Sequence, residues 1–279
     1  MPSRCETSKP RANAQMFALR QPPPSRLELA GRAYELARVF KHDFLAATCL
    51  YRCRQEGADL PEVVVKFHRR QDFWGLPLDW AGRALCDHEQ AIYRRLAGLE
   101  GVPRWVSRID DVTYAIQYIP ALPLDHLDAP PPGFFDRLRA LLGAVHARGV
   151  GYGDANKRSN ILVGRDGQAF LVDYQLAIGR RDDLPWPWRT ICAALVRYIA
   201  AKDLYHLYKH KRRLCPQEMT AQELSRRRGG LHWLHRKLTK PYRAVRRWFL
   251  RDRFRKGMLV SPTQGLEDHH QPEKATWRG

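Results

Sequence analysis

Three polar residues near the middle of the chain have the types and spacing that phosphoryl transfer requires. Asp154 follows a glycine-rich bend, Asn160 opens a predicted strand, and Asp173 ends the strand after it. A turn at Asp166-Gly167 joins the two strands as a hairpin, which brings the amide and the second carboxylate to the same end. Carboxylate and amide oxygens, with substrate phosphates, are ligands that Mg²⁺ prefers. Asp154 can accept a hydrogen bond from an attacking hydroxyl.

The same three residues also have an ordinary structural interpretation, as an Asx turn and two loop-capping aspartates. A lysine and a glutamate earlier in the chain favour the interpretation as a phosphoryl-transfer site. Alternation in the predicted strand EVVVKFH places Lys66 among apolar residues, where it extends to an edge or meets an anion. Glu89 lies on the apolar face of a helix predicted over 83–99, where a carboxylate is costly unless paired. We therefore predict an ion pair between Lys66 and Glu89.

The elements that must position these residues change in character along the chain. Strands are predicted at YELARVF, ATCLYRCR and EVVVKFH, and, after the helix over 83–99, at RWVSRI and TYAIQYI. The proline-rich segment IPALPLDHLDAPPPG then breaks the pattern. Helices follow over 134–147, 188–209 and much of 219–256, with the hairpin between the first two. This order predicts an α+β fold with a β-rich first lobe, a hinge and a mainly helical second lobe.

Composition sets the class of protein. With 279 residues, 44% hydrophobic and 10% aromatic, the chain is long enough for two lobes around a cleft. It contains no apolar run of transmembrane length and no secretory h-region at its start, so we expect a cytoplasmic location. The six cysteines lack paired metal-ligand spacing, which argues against a zinc site.

The net charge of +19 is concentrated near the end of the chain. Residues 225–257 hold thirteen Lys and Arg against one acid, Asp252, with aromatic residues interleaved. A basic amphipathic helix of this kind can bind peripherally to the anionic inner face of a membrane. Alternatively, its aromatic stripe packs on the second lobe and its arginines face solvent. Nucleic-acid contact is a third interpretation, which no recognised RNA-binding motif supports.

Across roughly residues 33–210 the chain resembles the protein-kinase-like superfamily, whose fold is bilobal. VVVK resembles its third-strand lysine motif, HARGVGYGDANKRSNILV its catalytic loop and FLVDYQ its metal-binding aspartate motif. The resemblance implies that ATP is the phosphate donor and Mg²⁺ the cofactor. It also implies a role for each matching residue: Lys66 contacts the nucleotide phosphates, Glu89 orients Lys66, Asp154 is the catalytic base, Asn160 and Asp173 bind Mg²⁺, Gln117 and Ile119 offer backbone groups to adenine, and Val64 and Leu162 pack on the faces of its ring.

Several features depart from the family pattern. The first turn, KHDFLA, has no glycine-rich loop, the residues before the base are Tyr152-Gly153, and no Ala-Pro-Glu sequence follows. Gln175 stands where the metal-binding motif has glycine. Asn160 lies six positions after the base instead of five.

The extra residue leaves two alternatives for the position of the family's catalytic-loop lysine, Asn156 and Lys157. We favour Lys157 as a catalytic residue, because a cation near the transferring phosphate has a direct electrostatic role.

These departures are more typical of short bacterial relatives than of eukaryotic protein kinases. The chain looks most like the lipopolysaccharide Kdo/heptose kinases, which act on a sugar of a membrane glycolipid; RIO-type kinases and aminoglycoside phosphotransferases are looser relatives. The resemblance implies a kinase that moves the γ-phosphate of ATP to a hydroxyl of such a sugar. The alternatives are an atypical serine/threonine protein kinase and a pseudokinase scaffold. The expected domains are a disordered tail over 1–26, an N-lobe over 27–119, a C-lobe over 120–218 and a basic helical segment and tail over 219–279.

Overall fold

The computed structural model of the chain describes residues 17–55, 57–73 and 75–225. These residues divide into two compact units. The first contains the described residues of 17–86 together with 107–115, and the second contains 87–106 and 116–225. The boundary predicted between the N-lobe and the C-lobe, 119/120, does not coincide with this division, since residues 87–106 and 116–119 group with the later part of the chain.

The first unit is built on a sheet of six strands in the order β1-β2-β3-β4-β6-β5, in which the first four strands pair antiparallel. The strands are β1 (Arg26–Leu29), β2 (Arg32–His42), β3 (Ala46–Cys53), β4 (Glu62–His68), β5 (Trp105–Asp110) and β6 (Thr113–Gln117). Cys49 pairs with Val65, and Thr48 with Lys66. Val63, Val65 and Cys49 are fully buried, so the apolar alternation in β4 defines the core side of the sheet.

The described part of the segment predicted as a disordered tail, residues 17–26, begins with two packed residues. Phe17 and Ala18 are buried, and β1 begins at Arg26. The anchor is Arg69, only 1% exposed, whose Nη1 donates to Phe17 O and Phe44 O, both at 3.1 Å. Burial lowers the pKa of the Arg69 guanidinium to about 10. The sequence contains no local signal for a contact that spans fifty-two positions.

Helix α1 (Asp79–Arg95) begins and ends four residues earlier than the predicted 83–99. An acidic residue, Asp79, opens it and two arginines close it, as the helix dipole favours. Its start lies close to the sheet, since a Cβ on Gly82 would be 1.9 Å from Arg69 O. Leu99, which the apolar spacing included in the helix, instead bonds Leu96 O in the turn that follows.

The second unit is mainly helical. Its helices are the rest of α1, α2 (Phe134–Ala147), α3 (Trp188–Leu214) and α4 (Ala221–Ser225). Two small sheets complete it: β7 (Leu122–Pro123), β9 (Ile161–Val163) and β10 (Ala169–Leu171) in the order β10-β9-β7, and β8 (Val150–Gly151) with β11 (Ile178–Gly179). The predicted inner face of α2, with Leu138, Leu142 and Val145, is buried. Helix α3 is five residues longer than its prediction of 188–209.

The predicted α+β class is confirmed: a β-rich first part with one helix precedes a mainly helical part that carries one hairpin. This is the order that the protein-kinase-like resemblance implies. The basic segment 225–257 lies outside the described residues except for its first position, so its membrane and packing interpretations stay predictions. None of the described helices has the length and apolarity to cross a bilayer.

Candidate functional site

The candidate site centres on the segment between β8 and β9, where a tight backbone turn carries Asp154. β8 pairs with β11, so this segment is held beside the one that follows Asp173. Gly153 has a φ of +80°, and a Cβ there would lie 2.6 Å from Leu176 O. Glycine before Asp154 is therefore a requirement of this backbone, which explains one departure from the motif that the sequence resembles.

Asp154 is 6% exposed and has two donors on one carboxylate oxygen. Asn160 Nδ2 and Lys157 Nζ both lie 2.8 Å from Asp154 Oδ2. A cation and an amide on one oxygen orient the carboxylate and stabilise its charge. Asn156, by contrast, is exposed, and its Oδ1 accepts a bond from Lys209 Nζ at 3.2 Å. Of the two alternatives that the sequence left open, Lys157 is the one beside Asp154.

The extra residue in the loop is accommodated by two consecutive turns. Lys157 N–H donates to Asp154 O at 3.0 Å, and Asn160 N–H donates to Lys157 O at 3.2 Å. The second turn is the 3-10 segment Arg158–Asn160, so Asn160 ends a turn and does not open β9 as the sequence pattern predicted. The lengthened loop thus still delivers the Asn160 side chain to Asp154.

Asn160 and Asp173 lie at the same end of the β9–β10 hairpin. Ile161 pairs with Leu171, and Val172 N–H donates to Asn160 O at 3.1 Å. The Nδ2 atom of Asn160 serves Asp154, so its amide oxygen is the atom suited to a cation. Asp173 has a φ of +62°, a left-handed conformation that is unfavourable for a residue with a Cβ.

This pair of residues fits Mg²⁺ by its chemistry. One carboxylate and one amide oxygen are hard ligands, and Mg²⁺ is commonly held by one or two protein groups plus waters and substrate phosphates. Among the described residues there is no cluster of three His, Cys, Asp or Glu side chains that could hold a metal ion.

Helix α3 fixes the loop through residues that sequence reasoning missed. Asp203 is fully buried, and its two oxygens accept bonds from Tyr152 N–H and Gly153 N–H, both at 2.9 Å. His146 Nε2 lies 3.1 Å from the same carboxylate. Two turns further along, His210 Nε2 donates to Ala155 O at 2.9 Å. The available signal was a lone acid among apolar positions of a helix, the same signal that singled out Glu89.

Three buried tyrosine rings connect α1, the loop and the segment after Asp173 within the second unit. The centroid of Tyr174 lies 5.3 Å from that of Tyr152 and 5.2 Å from that of Tyr93, both nearly edge-on. Tyr152 donates its hydroxyl to Val172 O at 2.5 Å. The Tyr174 hydroxyl is buried and has no hydrogen-bond partner among the described residues. Burial raises the pKa of all three phenols.

The residues predicted to bind ATP divide between the two units. Val64 and Lys66 lie on β4 in the first unit, half-buried and 6% exposed respectively. Glu89, Leu162 and the hinge residues lie in the second, and Glu89 is fully buried. The predicted ion pair and the predicted adenine site join residues of different units, and both stay predictions.

The turn between β2 and β3 has the position of the family's glycine-rich loop and a different structure. Asp43 Oδ1 accepts bonds from Leu45 N–H at 2.8 Å and Ala46 N–H at 2.9 Å. An aspartate side chain therefore occupies backbone N–H groups that a glycine-rich loop would offer to phosphates.

A cavity of about 700 Å³ lies elsewhere in the second unit. It is lined by the hinge segment and by the start of the β9–β10 turn, including Tyr118, Leu122, Pro131, Val163 and Arg165. None of the residues predicted for catalysis or metal binding lines it, so we do not assign the chemistry to it.

Comparison with known proteins gives a distant structural likeness. No family model and no curated protein matches the chain. A structure of the Rio2 kinase from Chaetomium thermophilum in an ADP/Mg²⁺-phosphoaspartate complex aligns with a TM-score of 0.48 and 15% identity, over 70% of this chain and 59% of that one. A second structure of that kinase gives 0.46 and 16%, over 64% and 58%. The chain thus spans about three fifths of the length of these structures. At TM-scores below 0.5 this likeness assigns no function to the chain. A functional assignment depends on the chain's own residues.

Proposed function

We propose that this protein is an ATP-dependent phosphotransferase that uses Mg²⁺ and has an alcohol group as its acceptor. The observation that carries the proposal is the buried Asp154 carboxylate, held by Lys157 and Asn160 at 2.8 Å on a loop that α3 fixes. Asp173, which with Asn160 forms the predicted metal-binding pair, lies at the same end of the hairpin as Asn160. Phosphoryl transfer depends mainly on such positioning and on charge neutralisation.

Each group has a role in that reaction. Asp154 orients the acceptor hydroxyl and takes its proton as the oxygen attacks the γ-phosphate. Lys157, 41% exposed beside it, offers a cation to the charge on the transferring group. Asn160 and Asp173 would hold the Mg²⁺, which neutralises phosphate charge when bound.

The nucleotide would be held by groups from both units. In this proposal Lys66 contacts the phosphates and Glu89 orients Lys66, while Val64 and Leu162 enclose the adenine ring. The hinge backbone supports specific assignments: Gln117 N–H donates to Arg104 O, and Ile119 O accepts from Ala121 N–H, both at 2.8 Å. The groups proposed to face adenine are therefore the Gln117 carbonyl and the Ile119 N–H.

For the acceptor we propose a sugar hydroxyl of a membrane glycolipid. Only residues 174–187 separate Asp173 from α3, a span that includes β11 and leaves little chain for a peptide-binding segment. An atypical serine/threonine protein kinase is the second candidate. A pseudokinase scaffold is the third, favoured by the altered Tyr152-Gly153 and disfavoured by the ordered contacts of Asp154.

Labelled ATP with Mg²⁺ and either lipid extract or protein extract tests the proposal, with Asp154→Asn as the inactive control. We expect label in the lipid fraction with the wild-type protein and none with the variant. Label confined to protein would select the protein-kinase alternative. An absence of transfer together with no thermal shift on adding Mg-ATP would select the scaffold.

A further inference from the structure

A row of large apolar side chains lies on the solvent-facing side of the first half of α3. Trp188, Ile191 and Leu195 are 61%, 52% and 42% exposed, and Tyr198 continues the row half-buried. Steps of three, four and three residues place these four side chains, here named the α3 seam, on one face of the helix. Trp186, two residues before the helix, is 78% exposed.

The seam is distinct from the face by which α3 packs. Val196 and Leu207 are buried, Asp203 bonds the catalytic loop, and a Cβ on Gly151 would lie 2.8 Å from Ile199 Cγ2. The packing face of the helix is thus occupied by the loop, and the seam lies on the neighbouring face, about 100° around the helix axis. Contiguous exposed apolar side chains of this size mark interaction surfaces on soluble proteins.

The charges on α3 indicate what the seam meets. Helix α3 contains seven Lys and Arg residues and one acid, Asp203, which is fully buried. Of the seven cations only Lys211 is buried, so every charged side chain that α3 exposes is positive. Lys202 Nζ lies 5.7 Å from the centre of the Tyr198 ring, at the end of the seam.

We propose that the α3 seam docks on an anionic membrane surface. Tryptophan and tyrosine rings favour the headgroup level of a bilayer, and each lysine or arginine near anionic lipid adds attraction. Lysine is depleted in the cores of protein interfaces, whereas here Lys202, Lys209 and Arg213 continue the face of the seam beyond Tyr198. This inference goes beyond the proposed phosphotransfer and does not require it.

Flotation of the full chain with lipid vesicles tests the proposal. We expect binding to vesicles of equal parts phosphatidylcholine and phosphatidylglycerol, and little binding to phosphatidylcholine alone. Trp188→Ser should lower the partition coefficient roughly tenfold, because one large apolar side chain no longer enters the interface. Trp80→Ser is the matched control: Trp80 is 64% exposed on α1, and its loss should leave binding unchanged.

Three outcomes would overturn the inference. The first is wild-type protein that does not float with anionic vesicles, and the second is equal partition of Trp188→Ser and Trp80→Ser. Residues 226–257 are the same in both variants, so any contribution from them cancels in this comparison. The third is concentration-dependent self-association that Trp188→Ser abolishes, which would assign the seam to a protein interface. The thermal shift with Mg-ATP should persist in Trp188→Ser, so failure of docking and failure of nucleotide binding can be distinguished.

Discussion

At the scale of single residues, the proposed site contains two carboxylates with different roles. Asp154 is buried and engaged by Lys157 and Asn160, which suits a group that orients an acceptor and takes a proton. Asp173 lies in a left-handed conformation at the end of the hairpin, where a carboxylate can serve a cation. Backbone strain of this kind is maintained where the surrounding structure enforces it.

Asparagine substitutions separate the two roles. Asp154→Asn should lower the turnover number by about 100-fold or more while Mg-ATP binding stays nearly intact, because the proton acceptor is lost and the metal ligands remain. Asp173→Asn should weaken Mg-ATP binding itself, because a charged ligand is lost. Turnover and calorimetric titration with Mg-ATP measure both. Equal loss of Mg-ATP binding in the two variants would contradict this division.

The buried tyrosines give a matched pair of stability predictions. Tyr174→Phe removes a buried hydroxyl that has no partner among the described residues, so the free energy of unfolding should rise by about 1 kcal/mol. Tyr152→Phe removes a hydroxyl that donates to Val172 O and should lower the free energy of unfolding by about 1 kcal/mol. Urea unfolding of the two variants measures both changes. A fall in stability for Tyr174→Phe would indicate that its hydroxyl has a partner.

At the scale of elements, α3 determines the position of the loop that carries Asp154. Asp203 binds two loop N–H groups and His210 binds one loop carbonyl, so a single helix holds the backbone on both sides of Asp154. His210 is 5% exposed, and burial, with nearby cations, lowers the pKa of its imidazole to about 4. The loop anchor is therefore a neutral histidine at physiological pH.

This anchor predicts a pH dependence of stability. The unfolded imidazole titrates near 6.5 and the folded one near 4, so the unfolded state binds more protons between these values. His210 therefore contributes stability above pH 6.5, up to roughly 3 kcal/mol, which is lost as the pH falls towards 4. His210→Gln keeps a donor for Ala155 O and does not titrate, so its unfolding free energy should fall less over this window. Parallel pH profiles for the two proteins would refute the assignment.

The elements also indicate how far the sequence could predict the fold. Apolar spacing identified α2 over 134–147, because its inner face is buried within one unit. The same spacing placed α1 four residues late, because an opening acid and a following turn determine its ends. Phe17 is held by a hydrogen bond from Arg69, and Asp203 accepts a hydrogen bond from Tyr152 N–H; in both contacts the two residues are about fifty positions apart in the sequence. The sequence around Asp203 marks it as a lone acid on an apolar helix face, but nothing local identifies the partner in either of these long-range contacts. The hairpin that brings Asn160 to the end near Asp173 is local and could be predicted.

At the scale of the whole molecule, each unit contains one buried charged side chain, and the sequence predicts an ion pair between the two. Lys66 is 6% exposed in the first unit and Glu89 is fully buried in the second. An isolated buried charge is costly, so the sequence prediction of an ion pair between them is also a prediction of energetic coupling between the units. Such coupling is measurable without nucleotide.

A double-mutant cycle with Lys66→Met and Glu89→Met tests this pairing. Each single substitution should lower the free energy of unfolding by about 3–5 kcal/mol, because the remaining charge is buried without its partner. The double variant should lose less than the sum, since no buried charge remains. Asp79 and Arg83 are the control pair: they form an exposed ion pair at 2.7 Å on α1, so their methionine cycle should give a coupling below about 0.5 kcal/mol. Additive losses for Lys66 and Glu89 would mean that each charge is balanced within its own unit, and the sequence pairing would then be wrong.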